Sequence, residues 1–277
     1  MSATKNAVPG TGTRKKNLKL LLTLAKNDFK TKFAGSYLGT VWAFVQPIVT
    51  IFVYWFAFEK GLKAGPVKNL HAGIETPFVL WLTAGMVPWF FLQDALLGGT
   101  NALVEYSYLV KKVVFKIDII PMVKIISAFF THAFFVCFAI VFFAAYGYTP
   151  DLYVLQVLYY SVALIVLVVG AVYLTSSIVI FFRDLGQIVN IFLQIAIWMT
   201  PIMWNIDDMN VGSGLLKILK LNPFHYIVQG YRDALINKVW FWERPELTVW
   251  YWAVALVMLL LGWNVFKRLK VHFADVL

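Results

Sequence analysis

Few side chains in this sequence have the types and spacing that catalysis requires. Its four histidines are scattered, without an H-E-x-x-H pattern or another spacing typical of paired metal ligands, at His71, His132, His225 and His272. The single cysteine, Cys137, cannot form an intrachain disulfide or a cysteine-based metal cluster. The sequence therefore predicts no metal site.

Motifs for covalent and nucleotide chemistry are missing as well. No G-x-S-x-G nucleophile elbow occurs, and no G-x-x-x-x-G-K-S/T loop that could hold ATP phosphates. Asp207 and Asp208 form the only adjacent acidic pair, and their neighbours Asn210 and Gly212 are typical of a loop. A polytopic membrane enzyme, such as a lipid-linked glycosyl transferase, would need a carboxylate cluster or metal-ligand pattern at one membrane face. The sequence therefore disfavours that class.

Polar residues that could catalyse a reaction are scarce because much of the sequence consists of long apolar stretches. Apolar residues make up 61% of the 277 residues, charged residues make up 14%, and the mean hydropathy is +0.74. Soluble domains have roughly 45–50% apolar and about 25% charged residues, whereas about 20 consecutive apolar residues can cross a bilayer. Six stretches qualify, at 37–58, 77–97, 119–146, 153–182, 187–204 and 247–266. We therefore expect an all-α integral membrane protein with six transmembrane helices.

Basic residues are distributed unequally between the two sides that six spans define. With both termini on one side, that side carries the whole net charge of +10, and the opposite side is balanced. Lys and Arg concentrate on the cytoplasmic side of membrane proteins. We therefore expect both termini in the cytoplasm, and the basic excess requires no nucleic-acid partner.

Three ionisable residues fall within the predicted spans, at Asp94, Lys124 and His132. Such residues are candidates for function because burying them in a membrane is costly. Asp94 and Lys124 lie near the cytoplasmic ends, where snorkelling or pairing with each other would satisfy them. His132 fits an interhelical contact better than a proton relay. Without a continuous charged relay, ion- or proton-coupled transport is disfavoured, and the energy for transport would come from another subunit.

Residues 205–246 are too polar for a seventh span. A span there would bury four charged side chains at about 2.5–3.5 kcal/mol each, and Asn222-Pro223 would interrupt it. We expect two half-length helices within about 214–243, broken at Pro223 and re-entering the membrane from the outer face. Such backbone is tolerated only against protein or a water-filled cavity, which indicates a pathway or gate nearby. A hairpin lying flat on the outer surface is the alternative.

Residues 17–33 have the apolar periodicity of an amphipathic helix. The apolar stripe contains Leu18, Leu21, Leu22, Ala25, Phe29 and Phe33. The opposite arc contains Lys19, Thr23, Lys26, Asn27 and Lys30. We expect this helix to lie in the membrane interface with its lysines towards anionic headgroups. It would serve as a surface anchor or frame a lateral entrance for a lipid-borne substrate.

The longest predicted cytoplasmic connection, 98–118, joins the second and third spans. We expect Gly98 and Gly99 to loosen the chain and a short helix to form at about 105–116. Aromatic anchors dominate interface energetics, so its aromatic, aliphatic and basic residues fit docking onto a second protein, with a plain basic loop as the alternative. The candidate contact residues, including two in the loop between the fourth and fifth spans, are Glu105, Tyr108, Lys111, Lys112, Lys116, Arg183 and Asp184.

Aromatic and amide side chains in the first and fifth spans form a candidate substrate surface. They are Trp42, Phe44, Gln46, Tyr54, Trp55, Asn190, Gln194 and Trp198. Aromatic faces can pack on sugar C–H groups, and amides can hydrogen-bond to hydroxyls. Lipid contact or helix packing is the commoner role of any one of them, and only the set suggests carbohydrate.

Seven sequence blocks resemble the ABC-2 type permeases, the membrane subunits of ABC exporters for polysaccharides, O-antigens, capsules and teichoic acids. The resemblance extends from about Leu18 to Leu269, and its last block looks most like the teichoic acid translocation branch. The blocks are residues 27–42 (NDFKTKFAGSYLGTVW), 46–47 (QP), 87–90 (VPWF), 109–114 (LVKKVV), 182–185 (FRDL), 198–204 (WMTPIMW) and 222–235 (NPFHYIVQGYRDAL).

This resemblance implies a domain organisation and a set of partners. Residues 1–36 would form a cytoplasmic tail with the interfacial helix, 37–266 the six-helix transmembrane domain, and 267–277 a second cytoplasmic tail. Two copies of the chain would assemble with two separate ABC ATPase subunits in a bacterial plasma membrane. ATP and Mg would be bound by the ATPase, and no cofactor by this chain. The segment 105–116 would be a coupling helix in the ATPase groove.

The resemblance also implies a substrate and a route. The substrate would be a long polymer on an undecaprenyl-diphosphate lipid, either a teichoic acid or an O-antigen or capsule-type polysaccharide. It would pass from the cytoplasmic to the outer leaflet through a channel between the two permeases. The outer gate would be shaped by Pro201, Trp204, Asn222, Pro223 and Tyr226. An ABC-2 exporter of drugs or small lipids is the alternative.

Overall fold

A computed structural model describes residues 11–68, 75–111, 116–206 and 212–276. Over these residues the chain is almost entirely helical. One short antiparallel pairing joins β1 (Val67–Lys68) to β2 (Glu75–Thr76), with Val67 opposite Thr76. The acidic pair Asp207-Asp208 and the candidate contact Lys112 lie outside the described residues.

The α-helices are numbered in chain order. They are α1 (Thr11–Thr31), α2 (Trp42–Trp55), α3 (Phe78–Glu105), α4 (Ser107–Val110), α5 (Ile120–Ala145), α6 (Gln156–Val179), α7 (Leu185–Met199), α8 (Ser213–Leu221), α9 (Pro223–Arg232), α10 (Pro245–Leu269) and α11 (Phe273–Val276). Short 3₁₀ segments lie at Gly39–Val41, Ile117–Ile119, Leu152–Leu155, Phe241–Glu243 and Lys270–His272, and π-helical turns at Phe56–Gly61 and Asp233–Asn237. The C-terminal ends of α1, α3 and α10 lie at one end of the bundle, here called the termini-bearing end, and α8 and α9 lie at the hairpin end.

Five helical segments within the described residues are long and apolar enough to cross a membrane. They are Gly39–Gly61, Phe78–Glu105, Ile117–Ala145, Leu152–Val179 and Pro245–Val276. They match five of the six predicted spans, and the all-α membrane class is confirmed.

The predicted fifth span is shorter than expected. It appears as α7, whose 15 residues extend about 22 Å. The helix ends at Met199 because Pro201 disfavours the helical conformation at Thr200, where ψ is 134°. The expectation of a helix extending to Trp204 was therefore wrong, and the count of six spans stays a prediction.

The second predicted span is longer than expected. α3 continues to Glu105, so Gly98 and Gly99 are helical, and the prediction that they loosen a loop was wrong. A Cβ on Gly99 would lie 2.6 Å from Val172 of α6, so this glycine permits close helix packing. The connection is correspondingly shorter and begins at Tyr106.

Helix α3 lies at the centre of the bundle and packs against α5, α6, α9, α7 and α2. The contact between α6 and α10 is the most extensive in the fold. A Cβ on Gly170 would lie 2.6 Å from the Leu259 backbone nitrogen, and one on Gly262 would overlap the Gly170 carbonyl. Small residues that let two backbones meet are typical of helix contacts in membranes.

Two helices beside α3 bury little of their own surface. α2 exposes Ile48, Val49, Phe52 and Val53, and α7 exposes Ile188, Ile191, Phe192, Ile195 and Trp198. Exposed apolar patches of this kind mark contact with lipid or with another protein surface.

The hairpin breaks where the sequence predicts. α8 ends at Leu221 and α9 begins at Pro223, and the Asn222 side chain caps α9 by accepting a hydrogen bond from the Phe224 backbone N–H at 2.9 Å. α8 is largely exposed, whereas α9 is buried against α3 and α6. Its first turn packs on Trp89, with ring centroids 5.3 Å apart, and its last turn returns to Trp81.

Candidate functional site

A cavity of about 450 Å³ lies among α2, α3 and α5, with a contribution from α7; it is called the central cavity. Its wall is mostly apolar and aromatic. The polar side chains in its lining are Lys32, Gln46, Thr50, Tyr54, Gln93, Asp94, Thr131 and His132. An aromatic wall with a few separated polar groups is typical of a binding cavity for an organic molecule.

The structure separates the predicted substrate residues into two groups. Gln46 and Tyr54 line the central cavity, and Trp42 joins Gln46 in a neighbouring surface groove. Phe44 packs on Phe134 of α5 at 4.4 Å between ring centroids. This contact closes the gap between α2 and α5.

The three predicted residues of α7 are not part of the described cavity lining, to which α7 contributes Ile197. Gln194 and Trp198 are exposed and Asn190 is half-buried. They lie on the unpartnered face of α7, so a single chain does not bring them together with Gln46 and Tyr54.

A second cavity of about 560 Å³ lies next to the first at the termini-bearing end. An ion-pair network crosses its wall. Lys124 of α5 pairs with Asp28 of α1 at 2.8 Å and with Glu105 of α3 at 2.5 Å. The Tyr106 hydroxyl donates to Asp28 at 2.7 Å. Asp28, Lys124, Glu105 and Tyr106 are called the Asp28 network, and they connect three helices and the start of the α3–α4 connection.

The Asp28 carboxyl is held in its charged form. Burial alone would raise its pKa, but hydrogen bonds from Lys124, Tyr106 and Ser127 outweigh burial, so the pKa lies below the usual value of 3.8. Burial and the bond to Asp28 raise the pKa of the Tyr106 hydroxyl. Tyr106 therefore remains a hydrogen-bond donor at every physiological pH.

Asp94 and Lys124 do not pair with each other, although such pairing was one of the two alternatives left open by the sequence. Lys32, just after α1, forms an ion pair with Asp94, while Lys124 belongs to the Asp28 network. Both cavities include Lys32 and Asp94 in their linings. This ion pair therefore lies in the boundary between them.

His132 makes interhelical contacts, as the sequence suggested. Its Nε2 atom lies 3.2 Å from the Ser161 hydroxyl of α6 and 3.1 Å from the Tyr231 hydroxyl of α9. The ring is also 4.8 Å from Phe91. His132 of α5 thus links four helices, through hydroxyls on α6 and α9 and through the Phe91 ring of α3.

The residues predicted to contact a second protein differ in their surroundings. One takes part in interhelical contacts, and others are exposed. Glu105 is the last residue of α3 and belongs to the Asp28 network. Beyond Glu105, the described part of the predicted helix is α-helical only at Ser107–Val110. Lys116 is in extended conformation. The remaining described candidates are exposed, at Tyr108, Lys111, Arg183 and Asp184.

Helix α1 packs on α5 through only part of its predicted stripe. Ala25 is fully buried and Leu21 is half-buried, but Leu18 and Leu22 are exposed. The predicted headgroup contacts Lys19, Lys26 and Lys30 are all exposed. A surface of exposed leucines and lysines fits an interfacial helix, and that location stays a prediction.

Three of the predicted outer-gate residues, Pro201, Trp204 and Asn222, lie together at the hairpin end, where α7 stops. The Trp204 ring N–H donates to the Trp198 carbonyl at 3.0 Å, and the Asn222 amide donates to the Thr200 hydroxyl at 2.9 Å. Pro201 is buried beside them.

Tyr226 lies on the opposite side of α9 from this group. It stacks on Tyr251 of α10 at 4.7 Å, and its hydroxyl lies 3.0 Å from that of Thr248. Its contacts in the structure are those of helix packing.

Sequence reasoning missed three charged residues, Asp28, Lys32 and Arg232. Asp28 had a detectable signal, because it follows Leu21 by seven and Ala25 by three residues and so lies on the inward stripe of α1. Lys32 follows one turn later. The sequence contains no comparable signal for Arg232, because the depth at which α9 packs depends on its contacts with α3.

These features define a class: a polytopic helical membrane protein with a cavity among its candidate spans and an amphipathic N-terminal helix. The profile of the ABC-2 type transporter family matches residues 19–236. The chain therefore belongs to the ABC-2 type transporter family.

Two similar proteins match over nearly the whole chain. The O-antigen export system permease protein RfbA of Klebsiella pneumoniae is 22% identical over 93% of this chain and 95% of its own length. The protein of the same name from Myxococcus xanthus is 25% identical, over 92% of this chain and 94% of its own length.

Proposed function

We propose that this chain is the permease subunit of an ATP-driven exporter for a lipid-linked cell-surface polymer. The observation that carries the proposal is its near full-length similarity to O-antigen export permeases, within a family match that covers most of the chain. The polymer would be a teichoic acid or an O-antigen or capsule-type polysaccharide. Its anchor would be undecaprenyl diphosphate, and it would move from the cytoplasmic to the outer leaflet of a bacterial plasma membrane.

Two copies of the chain would form the route. The exposed faces of α2 and α7 lie on either side of the central cavity and have no partner among the residues that the structure describes. A second copy facing them would enclose a channel. That channel would bring Gln46 and Tyr54 of α2 close to Asn190, Gln194 and Trp198 of α7, which the single chain keeps apart.

Energy would come from two ABC ATPase subunits that bind ATP and Mg. The candidate docking segment is the α3–α4 connection with exposed Tyr108 and Lys111, together with Arg183 and Asp184. The Asp28 network is continuous with this segment through Glu105 and Tyr106. A displacement of the segment would therefore be transmitted to α1 and α5.

The hairpin would re-enter the membrane from the outer face. Phe224 packs on Trp89, eleven residues after Phe78 at the start of α3. At 1.5 Å per residue this is about 16 Å along the span. This depth supports re-entry over a hairpin lying flat on the surface. Pro201, Trp204, Asn222 and Pro223 would then shape an outer gate.

Depleting the protein in its native bacterium tests the proposal. Lipid-linked polymer should accumulate inside the cells and decrease at their surface, and expression of the wild-type chain should reverse both effects. Chemical analysis of the accumulated lipid distinguishes polyol-phosphate teichoic acid from polysaccharide. Normal surface polymer with retention of a small lipid or a drug would favour the alternative cargo instead.

A further inference from the structure

Arg232, the last residue of α9, is almost completely buried, with 1% of its surface exposed. Its guanidinium donates from Nη1 to the Pro201 carbonyl at 2.6 Å and from Nη2 to the Ile202 carbonyl at 2.8 Å. It also lies 3.6 Å from the centroid of the Trp81 ring of α3. Both of these hydrogen bonds bind the guanidinium to the segment that follows α7.

The surroundings of Arg232 fit a permanent positive charge. The two carbonyls lie just beyond the C-terminus of α7, where the helix dipole is negative and attracts a cation. The face of Trp81 adds a cation–π contact. Space for the guanidinium depends on Gly85, because a Cβ there would lie 3.3 Å from Nη2.

The other end of α9 holds the same segment. The Asn222 amide donates to the Thr200 hydroxyl at 2.9 Å, and that hydroxyl donates to the Ala196 carbonyl within α7 at 2.8 Å. Residues 200–202 are thus bonded to the residue before α9 and to the last residue of α9. These five residues, Thr200, Pro201, Ile202, Asn222 and Arg232, are called the α7–α9 junction.

We propose that Arg232 is a positioning residue that fastens the outer end of α7 to α9, so that the two helices move as one unit when the outer gate opens. The inference rests on the proposed function, because α7 is there a channel wall. α7 exposes most of its length, and its contacts with α3 and α6 are few compared with those of the long helices. The α7–α9 junction is therefore what sets the position of its outer end.

The junction can be tested by thiol reactivity in the full chain in lipid nanodiscs, without ATPase or substrate. Cys137 is first replaced by serine. Met203→Cys then places a thiol on a side chain that is 2% exposed, next to the junction. Arg232→Lys keeps the charge but cannot donate to two carbonyls in the fixed fork of a guanidinium. We expect it to speed modification of that thiol by N-ethylmaleimide at least tenfold.

Two controls separate local release from unfolding. Arg268→Lys, at an exposed site on α10, should leave the rate within twofold. A thiol at Ser176→Cys, fully buried in α6, should stay unreactive in the Arg232→Lys chain. An unchanged rate at Met203→Cys in that chain would overturn the inference.

If Arg232→Lys makes both thiols reactive, the variant has unfolded, and a second variant is needed to test the junction. Thr200→Val removes the bond to Asn222 at the other end of the junction. It should raise the rate at Met203→Cys about threefold and leave Ser176→Cys unreactive. A rate within the error of the unsubstituted chain would equally overturn the inference.

Polymer export in cells distinguishes this inference from the proposed function. Arg232→Lys should reduce export at least fivefold at equal membrane levels of the protein. Normal export in a variant whose Met203→Cys thiol reacts faster would refute the gating role of the junction. Failure of the wild-type chain to support any polymer export would refute the proposed function, and the thiol result would still stand.

Discussion

Asp28 faces inward from α1, and its carboxylate binds groups from two neighbouring elements, the Lys124 ammonium and the Tyr106 hydroxyl. Its side chain is only 6% exposed. An isolated charge at such a site is costly, and removal of one partner of a buried pair destabilises more than the pair itself stabilises. At the scale of the residue, this network determines where an amphipathic helix attaches to the bundle.

Replacing Asp28 with asparagine should lower the free energy of unfolding by about 3 kcal/mol at pH 7. The effect should depend on pH, because the native pKa of Asp28 is lowered. A lowered pKa stabilises the fold above the unfolded value of about 3.8, and this contribution is lost as the pH falls further through the native value. The difference between wild type and Asp28→Asn should thus be constant from pH 7 to about 5 and vanish below the native pKa.

Unfolding in mixed detergent micelles, followed by far-UV circular dichroism, measures this difference. Asp275→Asn provides the matched control, because Asp275 is exposed on α11, and it should change the stability by less than about 0.5 kcal/mol. A difference that grows as the pH falls would show that the sign is wrong and that Asp28 is not held in its charged form.

The long helices are held together by close backbone approach as well as by large side chains. α6 and α10 meet at Gly170 and Gly262, and α3 meets α6 at Gly99. In a membrane the hydrophobic effect does not drive helices together, since lipid is as apolar as leucine, and tight packing of small residues takes its place. At the scale of the element, these glycines determine which helices are neighbours.

Gly262→Ala should separate α10 from α6, because its Cβ would overlap the Gly170 carbonyl, a backbone atom that cannot move alone. Overpacking of this kind costs about 1–3 kcal/mol. We expect a lower midpoint of thermal unfolding in detergent, measured by far-UV circular dichroism.

Gly98→Ala is the control for this substitution. Gly98 also lies within a helix, but its Cβ would meet only the Lys124 side chain, at an ordinary 3.7 Å. Alanine is the better helix former by up to about 1 kcal/mol, so this variant should be as stable as wild type or more so. Equal destabilisation by both substitutions would rule out the α6–α10 contact as the cause.

The whole molecule presents two different surfaces. The termini-bearing end exposes basic and aromatic side chains around α4, while α2 and α7 expose apolar faces along the bundle. The first surface would suit a water-soluble partner, and the second would suit lipid or a second copy of the chain. Assembly with such a partner and with a second copy is what the proposed function requires.

Reversing the charge of Lys111 and Lys112 together to glutamate should weaken assembly with the ATPase, or uncouple its hydrolysis from export, because both lie in the candidate docking segment. Co-purification and ATP hydrolysis of the complex measure the two effects, and we expect at least a fivefold loss of one. The same reversal at Lys217 and Lys220, on the exposed helix α8, should leave recruitment unchanged. Unaltered recruitment and export in the Lys111/Lys112 variant would remove the segment from a coupling role.

The sequence by itself determined the class of the protein and most of its helices. Apolar runs too long for a soluble domain predict membrane helices at five of six positions with their approximate bounds. Asn222-Pro223 also predicts the break between α8 and α9, because proline starts a helix readily and asparagine caps it. These features depend on local chemistry and on the bilayer as solvent, which the order of residues encodes directly.

Only the tertiary structure decided which charged groups meet. Lys124 pairs with Asp28 and Glu105, which are 96 and 19 residues away in sequence, and Lys32 pairs with Asp94. Arg232 appeared in the sequence as a charge too costly to bury, yet it is buried, because carbonyls at the end of α7 and the face of Trp81 offset part of its desolvation. Such compensation depends on the relative depth and rotation of separate helices, and no local pattern in the chain specifies these.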